Sequence, residues 1–309
     1  MSPGAGERVI AEFGTGMVRT AVTGRSDGTV RWQRFPGPLR DGGFALPDAA
    51  FLAALARASG DDVRFAVPSV ATPDEYRWEV SGSSSAAALL ESGPGAATAR
   101  LRRLAGGLGR QLRALHDQPP PPGPALPPPG YLVRLRDWLA DGSGPGAAGD
   151  FHRRLREDLG PLRWGRLTEL VHWVLHPGPG ERRTVLHGWF SLGGVVAADD
   201  GARPAVCVLS GGDGALGRPE ADVGCLLGEL TEYGMAAERS GVGWPAVQTL
   251  RNQFLAHYGP GLDPEVLAAA VLARVAAHAR DFAAYVGWDA QLDGYGPMLA
   301  TLVDATAPV

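Results

Sequence analysis

The stretch from Thr184 to Gly224 constrains the fold of this chain most, because short apolar runs and turn residues alternate along it. Thr184–Leu186 and Ala205–Leu209 are apolar or β-branched runs of the length of a strand. They flank a loop that begins with His187-Gly188 and a predicted hairpin around Asp199-Asp200-Gly201. The stretch therefore predicts short paired strands that carry one irregular loop and one tight turn.

This pattern resembles the catalytic region of the aminoglycoside phosphotransferase and choline kinase-like family, the small-molecule branch of the protein-kinase fold. The family pattern is roughly H-G-D, then N-V-L, a hairpin, I-D-[WF]-E/G and G-x-P-x-x-D-L. The chain keeps His187, Gly188, Pro219 and Asp222 of this frame, and the resemblance implies that these residues are structural. It also implies an α+β, two-lobed protein kinase-like fold, with a small β-rich N-lobe and a larger helical C-lobe.

The positions that carry the family's chemistry hold other residues here. Trp189 stands at the position of the catalytic Asp, Gly194 at that of the metal-binding Asn, and Ser210 at that of the second metal-binding Asp. Phosphoryl transfer in this fold needs a carboxylate to orient the acceptor hydroxyl and oxygen ligands for Mg²⁺. Tryptophan offers only an N–H donor, glycine offers no side chain and serine is a weak neutral ligand. We therefore expect no catalytic residue, bound metal or cofactor at these positions.

Residues 1–80 are predicted to form the N-lobe. Their strands and helix are expected at Arg8–Phe13, Val18–Val22, Thr29–Phe35, Pro47–Arg57 (the helix), Val63–Val70 and Tyr76–Val80. The resemblance makes Gly14 and Gly16 a vestige of the phosphate-covering glycine loop. The alternative is an ordinary hairpin turn, since glycine is needed wherever φ is positive.

An active kinase of this fold also needs a cation on the third strand, held by a carboxylate of the following helix. The chain contains no lysine, so only Arg31 or Arg34 remains as a vestigial nucleotide contact. No Glu occurs between residues 36 and 60, and Asp48 is the only acid near the expected start of the helix. The alternative interpretation is that both arginines lie on one solvated strand face.

Residues 81–309 are predicted to form the C-lobe, with the degenerate catalytic loop at 184–224. Its helices are expected at Ala96–His116, Tyr131–Ala140, Asp150–Val174 (broken at Gly160-Pro161), Ala221–Arg239, Val247–Tyr258 and Asp263–Val286. Residues 119–130 are rich in proline and predict a surface spacer, or alternatively a ligand for an aromatic groove. His116, at the end of the first of these helices, is interpreted as structural.

Basic and aromatic residues are concentrated in the predicted helix 150–174. The resemblance places the acceptor-binding wall of the family here, and Arg153, Arg154, Trp164 and Arg166 are candidates for binding a partner. A basic, aromatic wall suits an acidic or peptide partner better than a cationic sugar. The alternative is that these arginines form solvated helix faces.

Bulk properties exclude several classes of protein. The 309 residues carry a net charge of -4, which gives no basic field for nucleic acid. We expect no membrane span, since no apolar run reaches about 18 residues, and the N-terminus lacks the apolar core of a signal peptide. Cys207 and Cys225 lie in apolar runs, so they predict buried thiols of a cytoplasmic protein rather than a disulfide or metal pair. The use of arginine alone suggests a GC-rich bacterium, plausibly an actinobacterium.

These features favour a pseudokinase, a non-catalytic binding or scaffold subunit. The resemblance and the inferred host suggest an actinobacterial complex for natural-product biosynthesis, such as a lanthipeptide synthetase, with a kinase or lyase enzyme and a precursor peptide as partners. The first alternative is an active small-molecule or peptide Ser/Thr phosphotransferase that uses ATP and Mg²⁺ through a metal site rearranged onto Asp213. The second is a different enzyme that recruits His187, Asp213 or Glu79.

Overall fold

The computed structural model describes residues 7–92, 95–120, 126–199, 205–239 and 245–306, and its fold is α+β. The strands are β1 (Glu7–Gly14), β2 (Val18–Arg25), β3 (Val30–Pro36), β4 (Val63–Ala66), β5 (Val70–Thr72), β6 (Glu75–Val80), β7 (Ser84–Ser85), β8 (Thr184–Leu186), β9 (Val195–Ala197), β10 (Val206–Leu209) and β11 (Ala215–Gly217). The helices are α1 (Ala49–Ala58), α2 (Ala86–Glu91), α3 (Ala96–His116), α4 (Gly130–Asp141), α5 (Ala148–Leu175), α6 (Pro219–Arg239), α7 (Pro245–Tyr258), α8 (Pro264–Tyr285) and α9 (Tyr295–Ala305). The predicted β-rich N-terminal part and helical C-terminal part are confirmed.

The contacts of the chain divide it into two compact units. Unit 1 comprises residues 1–123, 191–214 and 233–260, and unit 2 comprises residues 124–190, 215–232 and 261–309. Trp189 therefore belongs to unit 2, whereas Gly194 and Ser210 belong to unit 1. The predicted boundary between lobes at residue 80 remains a prediction.

Unit 1 is built around an antiparallel sheet in the order β1-β2-β3-β6-β5. Trp32 in β3 pairs with Val22 on one side and with Trp78 on the other, so all three side chains point to the same face. That face packs against the sheet β4-β10-β9-β7 in a core that includes Val196 and Leu209. The core buries both tryptophans almost completely.

Arg31 and Arg34 do not share a strand face. Side chains alternate along a strand, so residues separated by three point to opposite faces of the sheet. Arg31 pairs with Glu7 and Glu79 on the outer face, whereas Arg34 lies on the face of Trp32 and Trp78. The expectation of one solvated face is therefore wrong, and the odd spacing of the two residues already contained the reason.

Two of the predicted helices, α1 and α8, begin at a capping aspartate. Asp48 caps α1 by accepting hydrogen bonds from the N–H groups of Ala50 and Phe51. Asp263 caps α8 in the same way, just before Pro264. The predicted break in α5 is confirmed, because Gly160 has φ 67° and ψ 172° within the span that the helix covers.

Two predicted features lie partly or wholly outside the described residues. The turn of the hairpin at 200–201 is outside them, and so is the middle of the proline-rich segment, residues 121–125. Cys207 and Cys225 are both free and buried, as predicted. Among the described helices, none combines the length and the apolar character that crossing a bilayer requires.

Candidate functional site

The frame of the catalytic-loop region in unit 2 is held by one buried carboxylate. Asp222, which is fully buried, accepts hydrogen bonds from the backbone N–H of His187 at 2.6 Å and of Gly188 at 2.9 Å. Gly188 has φ 85°, a conformation that favours glycine. These contacts hold the backbone of the loop at residues 187 and 188 in place.

Trp189, which the resemblance places at the position of the catalytic Asp, makes ring contacts with two neighbouring side chains. Its ring lies edge-on to Tyr131, with 5.4 Å between the centroids, and 4.8 Å from the guanidinium carbon of Arg274. Arg274 is almost fully buried, and its Nη1 lies 3.5 Å from Oε2 of Glu232. The ring of Trp189 therefore lies over the buried ion pair between Arg274 and Glu232.

His187, two residues before Trp189, is buried. Its ring packs edge-on against that of Phe190, with 5.7 Å between the ring centroids. This packing is what a residue that braces the loop requires. His116, in unit 1, is also buried, and its Nδ1 lies 2.7 Å from the hydroxyl of Tyr258. Both histidines therefore sit within packed side chains, in the surroundings expected of structural residues.

A polar network that no sequence motif indicated lies beside Arg274. Oε1 of Glu232 lies 2.6 Å from Nδ1 of His278 and accepts a hydrogen bond from the hydroxyl of Tyr295 at 2.8 Å. Its members come from α6, α8 and α9, so no local motif joins them. The helical spacing of Arg274 and His278, four residues apart on α8, was the only available signal.

Cys225 lies in the same buried region, and burial raises the pKa of its thiol from 9.0 to about 12, against the opposing effect of Arg274. The folded protein therefore holds this proton more tightly than the unfolded chain does. Stability contributed by the neutral thiol is complete below pH 9 and decreases as pH rises toward 12, by up to about 1.4 kcal/mol per pH unit.

This pH dependence is testable by urea unfolding from pH 8 to 11, with Cys225→Ala as the comparison. We expect the stability difference between wild type and variant to be constant near pH 8 and to shrink above pH 9. Parallel curves across the whole range would contradict the assignment. The absence of lysine from the sequence removes one common group that titrates in this range.

In unit 1, Ser210 is turned into the protein. It is fully buried, its Oγ donates to the carbonyl oxygen of Val208 at 3.2 Å, and its own carbonyl accepts from Trp78 Nε1 at 3.0 Å. Gly194 offers no ligand, although a methyl group there would have no neighbour closer than 3.8 Å. A Cβ atom would therefore fit at position 194, while the hydroxyl at 210 already donates to a backbone carbonyl.

Trp32 fills the region beneath the N-terminal sheet. Its Nε1 donates to the carbonyl oxygen of Gly82 at 2.8 Å, in the segment that follows β6. Phe13 lies edge-on to its ring at 6.4 Å. Together with Trp78, this side chain brings the sheet into direct contact with β9 and β10.

The turn at Gly14–Gly16 has the bonding of a tight hairpin. Thr15 N–H donates to the carbonyl of Val18 at 2.8 Å, and Met17 N–H donates to Oγ1 of Thr15 at 3.1 Å. A methyl group on Gly14 would lie 2.7 Å from the carbonyl oxygen of Val18, which accounts for the glycine by close packing alone. The carbonyl of Gly16 accepts from Leu39, so the turn is also fastened to the segment after β3.

The two candidate cations have different surroundings. Nε of Arg31 lies 3.1 Å from Oε1 of Glu79, and its Nη1 lies 2.8 Å from Oε1 of Glu7. These two carboxylates raise the pKa of Arg31. Glu79 is committed to this ion pair and lies 3.7 Å from Arg25. Arg34 rests on the ring of Trp78 at 5.5 Å and donates weakly to the carbonyl of Gly193 at 3.4 Å.

Of these two arginines, Arg31 has carboxylate partners, whereas Arg34 forms no ion pair within the described part of the chain. Its Nε is buried with no hydrogen-bond partner among the described residues. Burial lowers its pKa, and the nearby carboxylate of Asp213 opposes this effect. Asp213 itself is exposed, in a turn where Gly212 N–H donates to the hydroxyl of Tyr76.

The fold family implies ATP and Mg²⁺, and the residues present do not fit them. Mg²⁺ is usually held by one or two carboxylates, whereas positions 189, 194 and 210 supply an indole, no side chain and an inward-turned hydroxyl. Within the described parts of the chain, no group of three His, Cys, Asp or Glu side chains is arranged to hold a metal. No phosphoryl-transfer step can be derived through these side chains.

The candidate partner-binding residues of α5 are placed in two ways. Arg153 and Arg154 are exposed and form ion pairs within the helix, at 2.5 Å with Asp150 and at 3.1 Å with Asp158. Trp164 is buried and packs against His152, with 4.9 Å between the centroids. Arg166 is half-buried, and its Nη2 has no hydrogen-bond partner in the described structure.

Comparison with solved structures finds small-molecule kinases. A glucosamine kinase in complex with glucosamine, ADP and inorganic phosphate aligns over 99% of this chain and 80% of its own, at 18% identity and a TM-score of 0.52. The amicoumacin kinase hAmiN, in complex with AMP-PNP, Ca²⁺ and Ami, aligns over 97% of this chain and 89% of its own, at 11% identity and a TM-score of 0.58. A choline/ethanolamine kinase family protein from Mesorhizobium loti aligns over 96% of this chain and 88% of its own, at 14% identity and a TM-score of 0.53.

No protein-family model matches the sequence, and no curated protein sequence matches it significantly. The structural similarity covers nearly the whole chain, including the strands and helices that frame positions 187–222. Similarity at this level of identity establishes the fold and leaves the activity open. The chain therefore has the kinase-like fold of the aminoglycoside phosphotransferases and choline kinases.

Proposed function

We propose that this protein is a catalytically inactive, kinase-fold binding or scaffold subunit that does not use ATP. The observation that carries the proposal is the packing of Trp32 and Trp78 between the N-terminal sheet and β9–β10. These side chains occupy the face of the sheet on which Arg34 lies.

Trp32 lies where a nucleotide base would have to lie. In kinases, the turn between the first two strands covers the nucleotide phosphates and the cation of the third strand contacts them. A nucleotide held at Gly14–Gly16 and Arg34 would extend its base along the same sheet face, toward Trp32. The Trp32 ring is almost fully buried there, and its N–H already uses the carbonyl of Gly82. A base would have to displace the core of unit 1.

The missing reactive groups support the same conclusion independently. An enzyme lacking only its base loses orders of magnitude in rate, whereas this chain lacks the base and both metal ligands of its family at positions 189, 194 and 210. Trp189 is also engaged with Tyr131 and Arg274. Restoring a carboxylate at 189 would place it beside the buried Arg274 cation.

The second candidate is an active phosphotransferase with relocated groups, and one observation favours it. Arg34 is a partly buried cation near the exposed carboxylate of Asp213, the pairing that a rearranged phosphate and metal site would use. A single carboxylate supplies less than a typical Mg²⁺ site. We therefore place this function second.

Calorimetry with ATP in the presence and absence of Mg²⁺ separates the two functions. We expect no heat of binding and no shift of the unfolding temperature at millimolar nucleotide, since a ligand stabilises only a fold that it binds. Asp213→Asn and Arg34→Gln serve as matched variants. Mg²⁺-dependent binding that both variants abolish, followed by turnover, would overturn the proposal in favour of the phosphotransferase.

The proposed partners are biosynthetic enzymes of a cytoplasmic, actinobacterial natural-product complex, such as a kinase or a lyase of a lanthipeptide pathway, together with their precursor peptide. The exposed arginines of α5 and the half-buried Arg166 support an acidic or peptide partner. Affinity purification of the tagged protein from its host tests this. Recovery of a kinase-type or lyase-type enzyme supports the proposal. If Arg166→Gln abolishes this recovery and Arg153→Gln does not, the partner contacts α5 at Arg166. Purification without any such enzyme contradicts it.

A further inference from the structure

Two arginines of unit 2 share a single carboxylate. Nη1 of Arg280 donates to Oδ1 of Asp281 at 2.6 Å, and Nη2 of Arg134 lies 3.6 Å from Oδ2 of the same residue. The side chains are 7% exposed for Arg280, 35% for Arg134 and 20% for Asp281. This Arg134–Arg280–Asp281 cluster thus carries one excess positive charge, with Arg280 buried and the other two side chains partly exposed.

The donors of this cluster exceed its acceptors. Nε of Arg280 and Nε of Arg134 are both buried and have no hydrogen-bond partner among the described residues. A guanidinium group presents five N–H donors in a planar fork, so Asp281 and the side chain of Tyr285, which also interacts with Arg280, cannot accept from two such forks completely. The ring of Tyr285 lies 5.5 Å from the guanidinium carbon of Arg280 and limits its movement.

A glycine-rich loop, residues 142–147, lies against Arg280. The N–H of Ala147 donates to the carbonyl of Ala283 at 3.0 Å, which fastens the loop to the end of α8. A methyl group on Gly144 would lie 3.2 Å from Nη2 of Arg280, so the loop backbone passes directly beside the guanidinium. Gly144 itself is exposed, so the loop is reached from solvent.

We propose that Arg134, Arg280 and the 142–147 loop form a binding site for an oxyanion, namely a phosphate or carboxylate group. The unmet guanidinium donors would bind its oxygens, and planar forks suit both anions because they can bind them in pairs of parallel hydrogen bonds. Asp281 already neutralises one of the two guanidinium charges, and the bound oxyanion would neutralise the other. The site lies in α4, α8 and their loop, and it does not depend on whether the protein uses ATP.

The source of the oxyanion is either a free inorganic phosphate or an acidic side chain of a peptide. Both offer the same oxygens to the forks, and binding experiments distinguish them. The full chain is titrated with inorganic phosphate and, separately, with a short Glu-rich peptide, against chloride at equal ionic strength. Tighter binding of phosphate assigns a free anion, and tighter binding of the peptide assigns an acidic partner.

Asp281→Asn gives the sharpest test. Removing the internal carboxylate leaves both forks with an unmet charge, so we expect this variant to bind phosphate about tenfold more tightly than wild type, the factor that about 1.4 kcal/mol represents. Its unfolding temperature without phosphate falls, and phosphate restores it more than it raises that of wild type. A purely structural ion pair would lose stability without this rescue.

Arg134→Gln and Arg136→Gln form a matched pair on α4. Both residues are partly exposed, but Arg136 pairs with Asp137 outside the cluster. We expect Arg134→Gln to weaken phosphate binding by about tenfold and Arg136→Gln to leave it unchanged. If the two variants have equal effects, or if Asp281→Asn gains no affinity for phosphate, the proposed site is wrong. The unpartnered guanidinium N–H groups would then be hydrated instead.

Discussion

Replacing Asp222 by Ala is expected to destabilise the protein by about 4 kcal/mol, since each buried donor left without an acceptor costs about 1–3 kcal/mol and more when the acceptor is charged. The carboxylate is fully buried and holds the N–H groups of His187 and Gly188. A loss of this size removes a large share of the stability of a typical domain, about 5–15 kcal/mol.

Urea unfolding measures the loss, and hydrogen exchange locates it. In wild type the amides of residues 187 and 188 are expected to exchange slowly, and in Asp222→Ala they are expected to exchange faster than those of β8. Asp222→Asn keeps one acceptor oxygen and is expected to lose about half as much. Asp213→Asn is the control, because Asp213 is exposed and surface changes usually stay within about 0.5 kcal/mol. Equal stability of Asp222→Ala and Asp213→Asn would refute the role of Asp222.

The second large effect is expected for Trp32→Ala. Truncating a buried Trp to Ala typically costs about 3–5 kcal/mol, because the cavity that remains is only partly refilled. Trp32 is almost fully buried between β2, β6 and the second sheet, and its removal also leaves the carbonyl of Gly82 without its donor. We therefore expect a loss at the upper end of this range.

Thermal and urea unfolding of two further variants separate packing from hydrogen bonding. Trp32→Phe keeps much of the ring volume and loses the N–H donor, so about 1–2 kcal/mol is expected. Trp288→Ala removes a tryptophan that is 49% exposed and should cost about 1 kcal/mol or less. If Trp32→Ala and Trp288→Ala are equally stable, the ring of Trp32 does not fill a core.

The same variant probes the proposed function. A cavity lined by apolar side chains binds apolar ligands of matching shape. If the ring of Trp32 takes the place of a purine base, Trp32→Ala should gain a stabilising response to adenosine that wild type lacks, since the amino group of adenine can donate to the freed carbonyl of Gly82. An equal response of wild type would show that the space is open, against the proposal.

Much of the framework was predictable from local patterns. Asp263-Pro264 marked the start of α8, and Gly160-Pro161 marked the break in α5, because capping and φ restrictions act within a few residues. The frame residues Gly188 and Asp222 were predicted from the family pattern, and the hydrogen bonds between them have the expected form. These features depend on residues close in sequence or on a spacing that the family pattern contains.

Other features depended on contacts that no local pattern contains. Sequence alone did not indicate that Trp32 would donate to Gly82, fifty residues later, or that Arg274 would lie on the ring of Trp189. It placed Arg31 and Arg34 together, although the pleat of a strand separates them. It gave no sign of the shared carboxylate between Arg134 and Arg280.

The sequence by itself predicted the β-rich N-terminal part, the helical C-terminal part and the loop frame around Asp222. Only the tertiary structure decided how distant side chains meet: a tryptophan core in unit 1, the ring of Trp189 over an ion pair in unit 2, and buried guanidinium nitrogens without partners among the described residues of α4 and α8. The physical reason is that propensity and capping act along the chain, whereas burial and charge pairing depend on which distant segments meet.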